Sequence, residues 1–491
     1  MDNIRRAKLM SGREIEYVVT KNPPRGGMKY TYFTPDKSFV LQFFNDPENA
    51  ADPAIHDRIK AIIGKYNPTV SESEGGANGN DERTAKYFSK CFCWPVDIVV
   101  QPEFGIVCPA YPKNFFFGDN ASQILQIKGK DKKSNWFTGK SRKYLNSSEL
   151  GDFRTMIKMS ILLSRALRRM HQAGLAHSDL SCNNVLVDPR TGTCVIIDID
   201  SLVVPGLFPP EVIGTRGYVA PEILQTLGME RHKRKFPSVQ TDLHSLAVLI
   251  YEYIFLRHPI IGPKIYSQNP EEDDYLCLGE KATFIEDPED TSNRPSDLKV
   301  TVKDLGPYLE ELFMRAFCKG LHNPSERPAA IEWERGLIKT WDMLHRCSNP
   351  NCEKKYFVMH DINNPVCPFC GTRIRDEYIL KLNFYAQRRG TPGRWYKSSS
   401  LIAENNAPIC MWNLCSNIFP DEKAADREVK AYIQIRDGRY YMVNISLENL
   451  LSPDGIIVPK GYAVELNNGT AFRLLRDENS MLLEAELFKN I

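Results

Sequence analysis

Apolar and polar residues alternate in three runs near the start of the chain, REIEYVVT from Arg13, KYTYFT from Lys29 and KSFVLQFF from Lys37. This period of two predicts three antiparallel strands, joined by a Pro/Gly turn at Asn22 to Gly27 and a tight turn at Pro35–Asp36. From Pro53 to Tyr66 the period lengthens, and Ile55, Ile59, Ile62 and Ile63 share one helical face. Residues from about 68 to 82, centred on SESEGGANGND, have no means of packing and are expected to form a mobile loop. VDIVV from Val96 and FGIVCPAY from Phe104 read as buried strands, whereas Ile127 to Tyr144 is Lys-rich and interrupted by glycines. The chain then turns helical: Ser148 is placed to cap a long amphipathic helix running to about Gln172, and helical periodicity returns over Asp242 to Leu256 and Tyr308 to Leu344. After a cysteine-rich stretch between Cys347 and Gly371 come AYIQI, RYYMVNI, YAVEL and TAFRLL, joined by Asp437–Gly438 and Asn468–Gly469, dipeptides suited to tight hairpins. A β-rich start, a helical middle and a β-rich end predict an α+β chain.

Composition narrows the classes. With 491 residues and 42% hydrophobic content the chain can bury several cores, which excludes wholesale disorder. The 63 Lys plus Arg nearly balance 61 Asp plus Glu, and a net charge of +2 supplies no global basic field, so no nucleic-acid partner is expected. Leu246 to Leu256 is the most apolar helical stretch, but it contains Glu252 and falls well short of the roughly 20 residues that span a bilayer; no membrane insertion is expected. Thirteen cysteines are too sparse for a disulfide scaffold, and the opening MDNIRRAKLMSGREIEY has no apolar secretion signal. Both point to the cytoplasm.

The candidate chemistry lies in three motifs in order: His177-Ser-Asp-Leu-Ser-Cys-Asn-Asn184, Ile196-Ile-Asp198-Ile-Asp200 and Gly214-Thr-Arg-Gly-Tyr-Val-Ala-Pro-Glu222. Together they resemble the H-R-D-L-x-x-x-N, D-F-G and G-T-x-x-Y-x-A-P-E motifs of protein kinases. The resemblance implies a two-lobed fold, ATP and Mg²⁺ (or Mn²⁺) as cofactors and a protein substrate. Phosphoryl transfer needs a carboxylate to orient the attacking hydroxyl and hard oxygen ligands for the metal. Asp179 matches the first role; Asn184 and Asp198 match the metal ligands. Asp242 fits the buried aspartate that anchors the catalytic loop, and Arg327 in SERPAAIEW fits the ion-pair partner of Glu222.

Three departures bear on activity. The strand-three lysine of V-A-I-K is replaced by Gln42, and Lys37, an odd five residues away, belongs on the opposite strand face. Aligning Pro24-Arg-Gly26-Gly27-Met-Lys29 with the glycine-rich loop resembles the with-no-lysine kinases, which implies Lys29 as the compensating cation and Gly26 and Gly27 as the phosphate turn. Asp57 is the best-placed helical carboxylate to partner it. Ser181 stands where a lysine usually follows the catalytic aspartate, which predicts slow turnover. Ser178 replaces the arginine that often receives a loop phosphate, and between Asp198 and Glu222 only Ser201 and Thr215 carry Ser/Thr hydroxyls, so loop phosphorylation is not expected to be the main switch. Thr215 is expected to tie this segment to Asp179.

Cys347-x4-Cys352 and Cys367-x2-Cys370-Gly371, fourteen residues apart, suit a closed four-thiolate zinc site of the ribbon type, which is structural. His360 reads as a surface residue, Cys410 and Cys415 as packed thiols, and the basic run Arg231 to Lys235 as a solvated loop. The expected organisation is a kinase-like N-lobe over 1–112, a helical C-lobe over 113–345, a zinc ribbon over 346–375 and a β-rich domain over 376–491. This architecture, with Trp94-Pro95 and Asp198-Ile-Asp200-Ser201, resembles a bacterial kinase-like family of tellurite-resistance-associated systems, which implies a PP2C-type phosphatase and a von Willebrand-type protein as partners. The primary reading is a Ser/Thr kinase of bacterial signalling or stress response. Gln42 keeps a nucleotide-binding pseudokinase scaffold as the alternative, and AMP transfer on the same fold is a third.

Overall fold

The alternation near the N-terminus closes, in the computed structural model, into a barrel ordered β1-β2-β3-β4-β6-β5: β1 Asn3–Leu9, β2 Glu14–Val19, β3 Lys29–Phe33, β4 Phe39–Phe44, β5 Asp97–Gln101 and β6 Gly105–Pro109. The structure describes residues 3–204, 207, 214–388, 391, 393–421 and 428–490. They divide into two units, one formed by Met1–Gly151, Leu162–Arg294 and Arg315–Ala330, the other by Asp152–Ile161, Pro295–Met314 and Ile331–Ile491.

In the first unit, the two faces of β4 belong to two cores. Leu41 and Phe43 pack with Ala7, Leu9, Tyr17, Val99 and Val107. Val40 and Phe44 pack on the other side with Ile55 and Ile59 of the helix Pro53–Ile63 and with Leu186, Val195 and Ile197. Ile59 is 1% exposed, a burial worth about 2 kcal/mol. Gln42 alternates with the second set, so its side chain belongs on the face turned toward the hairpin of β7 (Val185–Asp188) and β8 (Thr193–Ile196). Strand β1 escapes a periodicity reading because only Ala7 and Leu9 of its seven residues are buried; it is held by register, pairing β2 from Asn3↔Val19 to Lys8↔Glu14 and β5 through Leu9↔Val99.

The segment expected to lack any means of packing is instead built around a buried side chain. Asn80, 2% exposed, donates to the carbonyls of Pro68 (2.9 Å) and Val70 (2.5 Å) and accepts from Arg169 (3.0 Å). Its own carbonyl accepts from the Glu72 amide, and a short turn, Glu72–Glu74, forms inside the loop. Gly76 lies so close to the chain that an added Cβ would sit 2.0 Å from the Val70 carbonyl oxygen. Polar hydrogen bonding replaces the apolar contacts that the sequence lacks. Helix starts also shift. The long helix spans Phe153–Gln172 rather than starting after Ser148, because Asp152 and Thr155 exchange backbone-capping bonds (Asp152 N to Thr155 Oγ1 2.9 Å, Thr155 N to Asp152 Oδ1 3.0 Å) while Ser147–Glu149 form a separate turn. The run from Tyr308 to Leu344 is broken, with the helix Pro307–Met314 passing into a π-helical turn, Arg315–Lys319, before a separate helix, Ala330–Asp342.

In the second unit, β9 (Leu344–Arg346) pairs with β10 (Tyr356–Val358) beside the cysteine cluster. Two four-stranded sheets follow. One is ordered β12-β11-β18-β17 (Trp395–Ile402, Tyr378–Gln387, Leu482–Lys489, Ala471–Arg473), the other β13-β14-β15-β16 (Pro408–Cys410, Val429–Arg436, Arg439–Asn444, Ala463–Glu465). Leu380, Leu382, Phe384, Leu401, Ile433, Met442 and Leu483 share one core. Asp437 (φ 48°) and Gly438 (φ 73°) make the tight β14–β15 turn. Asn468–Gly469 does not join a hairpin: β16 pairs with β15 and β17 with β18, so the dipeptide carries the chain from one sheet to the other.

Replacing Asn80 by alanine strands the Pro68 and Val70 carbonyls, and chemical denaturation of Asn80→Ala is expected to read a loss of about 2 kcal/mol, against less than about 0.5 kcal/mol for the exposed Lys37→Ala.

Candidate functional site

The loop from His177 to Asn184 is shaped by a buried carboxylate. Asp242, in the first turn of the helix Val239–Phe255, is 1% exposed and accepts the amides of His177 (2.7 Å) and Ser178 (3.2 Å), with His171 Nε2 at 3.2 Å. Those amides need that acceptor, because Ser178 adopts a left-handed φ of 67°. Beyond Ser178 the chain delivers Asp179 to a node of side chains. Asn184 Nδ2 donates to the Asp179 carbonyl (2.8 Å) and to Asp179 Oδ2 (2.9 Å), while Thr215 Oγ1 donates to Oδ1 (2.7 Å). With its amide nitrogen so engaged, Asn184 turns its carbonyl oxygen away from Asp179, and that oxygen is the atom suited to a metal.

Asp198 is placed by the hairpin. Val185 pairs with Ile196, and the Ile197 amide donates to the Asn184 carbonyl at 3.0 Å, so Asp198 follows one residue beyond Asn184's cross-strand neighbour. Asp198 itself has a left-handed backbone (φ 62°, ψ 46°), which turns the chain into the short helical turn Ile199–Ser201.

Lys29 approaches from the barrel. Lys29 pairs with Phe44 and Thr31 with Gln42, and directly opposed residues share a sheet face, so Lys29 and Gln42 project on the same side. Lys29 Nζ hydrogen-bonds Asp200 and lies 3.9 Å from Asp198 Oδ1. Burial alone would lower its pKa, but Asp200 and Asp198 outweigh it and hold the ammonium charged. Desolvation and the neighbouring Asp200 carboxylate raise Asp198 despite the attraction of Lys29. Gln42 Oε1 is 3.8 Å from Cys108 Sγ. Lys37 occupies an exposed turn at φ 57°. Gly26 and Gly27 do form a turn, tied by Asn45 Nδ2 to their carbonyls (3.0 and 3.2 Å), but neither has a positive φ and a Cβ at either would meet nothing closer than 3.7 Å.

Asp57 is not brought to Lys29. Its carboxylate is 68% exposed and lies 3.7 Å from Lys60 on its own helix, because the helical face that turns inward is the isoleucine face. The carboxylate that meets Lys29 is Asp200, whose only sequence signal is a second acid two residues after Asp198. Glu222 and Arg327 form a forked pair, 2.8 and 2.7 Å, with the Arg327 side chain 1% exposed. Residues 205, 206 and 208–213, within the segment from Asp198 to Glu222 whose Ser/Thr hydroxyls are those of Ser201 and Thr215, lie outside the described residues, as does the Ser201 side chain.

Comparison with known proteins finds a family match within this region. Residues 137–329 match the protein kinase domain. The kinase-matching stretch contains Asp179, Asn184, Asp198 and the Glu222–Arg327 pair. Over 260 residues, half of this chain, the sequence is 25% identical to the mouse serine/threonine-protein kinase MRCK gamma, covering 16% of that protein. Over 208 residues, 40% of this chain, it is 27% identical to the serine/threonine-protein kinase pkn3 of Myxococcus xanthus, covering 33% of it. A Toxoplasma gondii rhoptry antigen kinase domain structure aligns with TM-score 0.41 and 15% identity over 69% of this chain and 86% of that one. The chain thus spans a third or less of the curated kinases it matches.

In the second unit, four thiols converge. Cys347, Cys352, Cys367 and Cys370 have sulfurs within 4.8 Å of one another, with Cys347–Cys370 at 3.5 Å and Cys352–Cys367 at 3.9 Å. Gly371 takes φ 71° immediately after the last of them. Among the described residues this is the only cluster of three or more such ligands. His360 is exposed and not part of it; Cys410 and Cys415 are buried at the two ends of the short helix Met411–Leu414. The basic run folds into a turn, Arg231–Lys233, where Lys233 pairs with Glu230 at 3.3 Å.

Tyr218, of the third motif, donates to the Glu252 carboxylate, which burial raises to about 7 although the hydrogen bond pulls it down. The unfolded carboxyl titrates near 4.5, so between pH 4.5 and 7 the folded state binds the extra proton and stability falls as pH rises. Relative to Glu252→Gln, the wild-type protein is expected to lose on the order of 3 kcal/mol across that window, read by denaturant titration at a series of pH values.

Proposed function

We propose that this chain is an ATP- and Mg²⁺- (or Mn²⁺-) dependent Ser/Thr protein kinase with an atypical nucleotide site. The observation that carries this reading is the node of Asp179, Asn184 and Thr215, with Asp198 one residue past the hairpin partner of Asn184. Asp179 is positioned by two hydrogen-bond donors so that a carboxylate oxygen can orient a substrate hydroxyl. The donor set fits a hard divalent ion: one carboxylate, Asp198, and the carbonyl oxygen of Asn184, both oxygen ligands of the type Mg²⁺ prefers. When bound, the metal would neutralise charge on the β and γ phosphates. Lys29, on the same sheet face as Gln42, would supply the cation that Gln42 cannot, with Gly26 and Gly27 forming the turn over the phosphates. Ser181 leaves the catalytic loop without a lysine beside the transferred group, and turnover should be slow.

The cysteine cluster supports a structural zinc ribbon. A tetrahedral ion with Zn–S bonds of about 2.3 Å separates its sulfurs by about 3.8 Å, close to the 3.5 and 3.9 Å between the paired thiols. Four sulfurs close the coordination shell and leave no position for catalysis. The proposed setting is cytoplasmic bacterial signalling or stress response of the tellurite-resistance-associated kind, with protein substrates and, as partners, a PP2C-type phosphatase and a von Willebrand-type protein.

Gln42 favours a second reading, a nucleotide-binding pseudokinase scaffold whose ribbon and C-terminal sheets engage partners; transfer of AMP on the same fold is the third. Incubation of the purified chain with γ- and α-labelled ATP and Mg²⁺ separates them by the mass added to protein. Phosphoryl transfer abolished in Asp179→Ala and Asp198→Ala is the expected result; retained binding without transfer leaves the scaffold, and an adenylyl mass leaves the third reading. Lys29→Met is expected to weaken ATP binding at least about tenfold while Lys37→Met leaves it unchanged. For the ribbon, elemental analysis is expected to read about one zinc per chain, lost in Cys367→Ser together with a lower melting temperature.

A further inference from the structure

We propose that Asp200 is the residue that positions Lys29, so that the ion pair holding the phosphate-directed cation is supplied from the start of the activation segment and not from the helix of the N-terminal barrel. This rests on the kinase reading of the same site and extends it to a residue that the motif alignment leaves unused. At the third position of D-F-G the family pattern has glycine, which carries no side chain; here the position carries a carboxylate.

Three observations support it. Lys29 and Asp200 are both nearly enclosed, with side chains 11% and 10% exposed, whereas Asp198 is 49% exposed. The two carboxylates therefore divide the work: Asp200 meets the ammonium inside, and Asp198 stays half-exposed with Lys29 at 3.9 Å. An enclosed ammonium is held in place only beside a counter-charge. Asp57 is the only acid on the helix Pro53–Ile63, and it faces solvent, so that helix offers no counter-charge. The backbone also fixes Asp200: the left-handed turn at Asp198 and the 1%-exposed Ile199 anchor the short helical turn on which it sits.

Lys29 would then depend for its placement on the turn that carries the metal-binding Asp198. Movement of that turn would displace the metal ligand and the cation together, whereas movement of the Pro53–Ile63 helix would leave the pair intact.

The test uses the full chain and two readouts. The first is labelling of lysines by an amine-directed reagent, quantified by peptide mass spectrometry with exposed Lys37 as internal standard. Lys29 is expected to label slowly in the wild type and in Asp200→Glu, and severalfold faster in Asp200→Asn; unchanged labelling in Asp200→Asn overturns the pairing. The second is ATP affinity with and without Mg²⁺. Asp200→Asn is expected to weaken binding about tenfold, with or without the metal, and to have less than about a twofold effect in a Lys29→Met background. A loss that needs Mg²⁺ and persists in Lys29→Met would make Asp200 a metal ligand, and a gain in affinity would make it a clamp on Lys29; either overturns the proposal. Faster labelling in Asp200→Asn with no ATP binding by the wild-type chain would leave the pairing standing and remove the kinase reading instead.

Discussion

One buried carboxylate sets the geometry of the candidate site. Asp242 accepts two successive amides, His177 and Ser178, at a point where the backbone enters a left-handed conformation. Without that acceptor two buried N–H groups would be orphaned at a cost of about 1 to 3 kcal/mol each, and Ser178 would relax. The direction of Asp179 follows from that turn, Asn184 from the hydrogen bonds Asp179 offers, and Thr215 from its bond to Oδ1. The helix Val239–Phe255, most of whose buried residues are apolar, therefore orients a loop some 60 residues earlier.

Charge around Lys29 is likewise set by packing. Lys29 is reached by strand register: β3 and β4 pair so that Lys29, Thr31, Gln42 and Phe44 share a face. That face looks toward the β7–β8 hairpin because its neighbours, Val40 and Phe44, pack in one core with Leu186, Val195 and Ile197. The apolar contacts thus bring a lysine and two aspartates together, and the ion pair they form offsets the desolvation that the packing imposes.

The cysteine cluster meets a different constraint. Four thiols from two short turns, three of them buried, crowd a space that offers their sulfur atoms only weak partners. A metal ion bound there would turn this crowding into bonding and would hold together two turns with little apolar content.

Local features were legible in the sequence. Alternation located β2 to β4 and continuous apolar runs located β5 and β6, the isoleucine spacing located the helix Pro53–Ile63, and Asp179 and Asn184, five residues apart in one loop, were identifiable by residue type before their hydrogen bonds were seen. The four cysteines were legible from spacing, because the knuckle turns that collect them are short-range. What the sequence left open depends on distant segments. Strand β1 has too few buried residues to announce itself and is held by pairing with β5, about 90 residues away. The loop at residues 68–82 folds on polar bonds that apolar pattern does not register, and Asn468–Gly469 joins two sheets because strand partners are chosen by the shared core. The chain by itself determined which residue types and short turns are available for the chemistry. Tertiary structure decided that Asp200, and not Asp57, meets Lys29, because a buried charge takes whichever counter-charge the packing of remote apolar faces delivers.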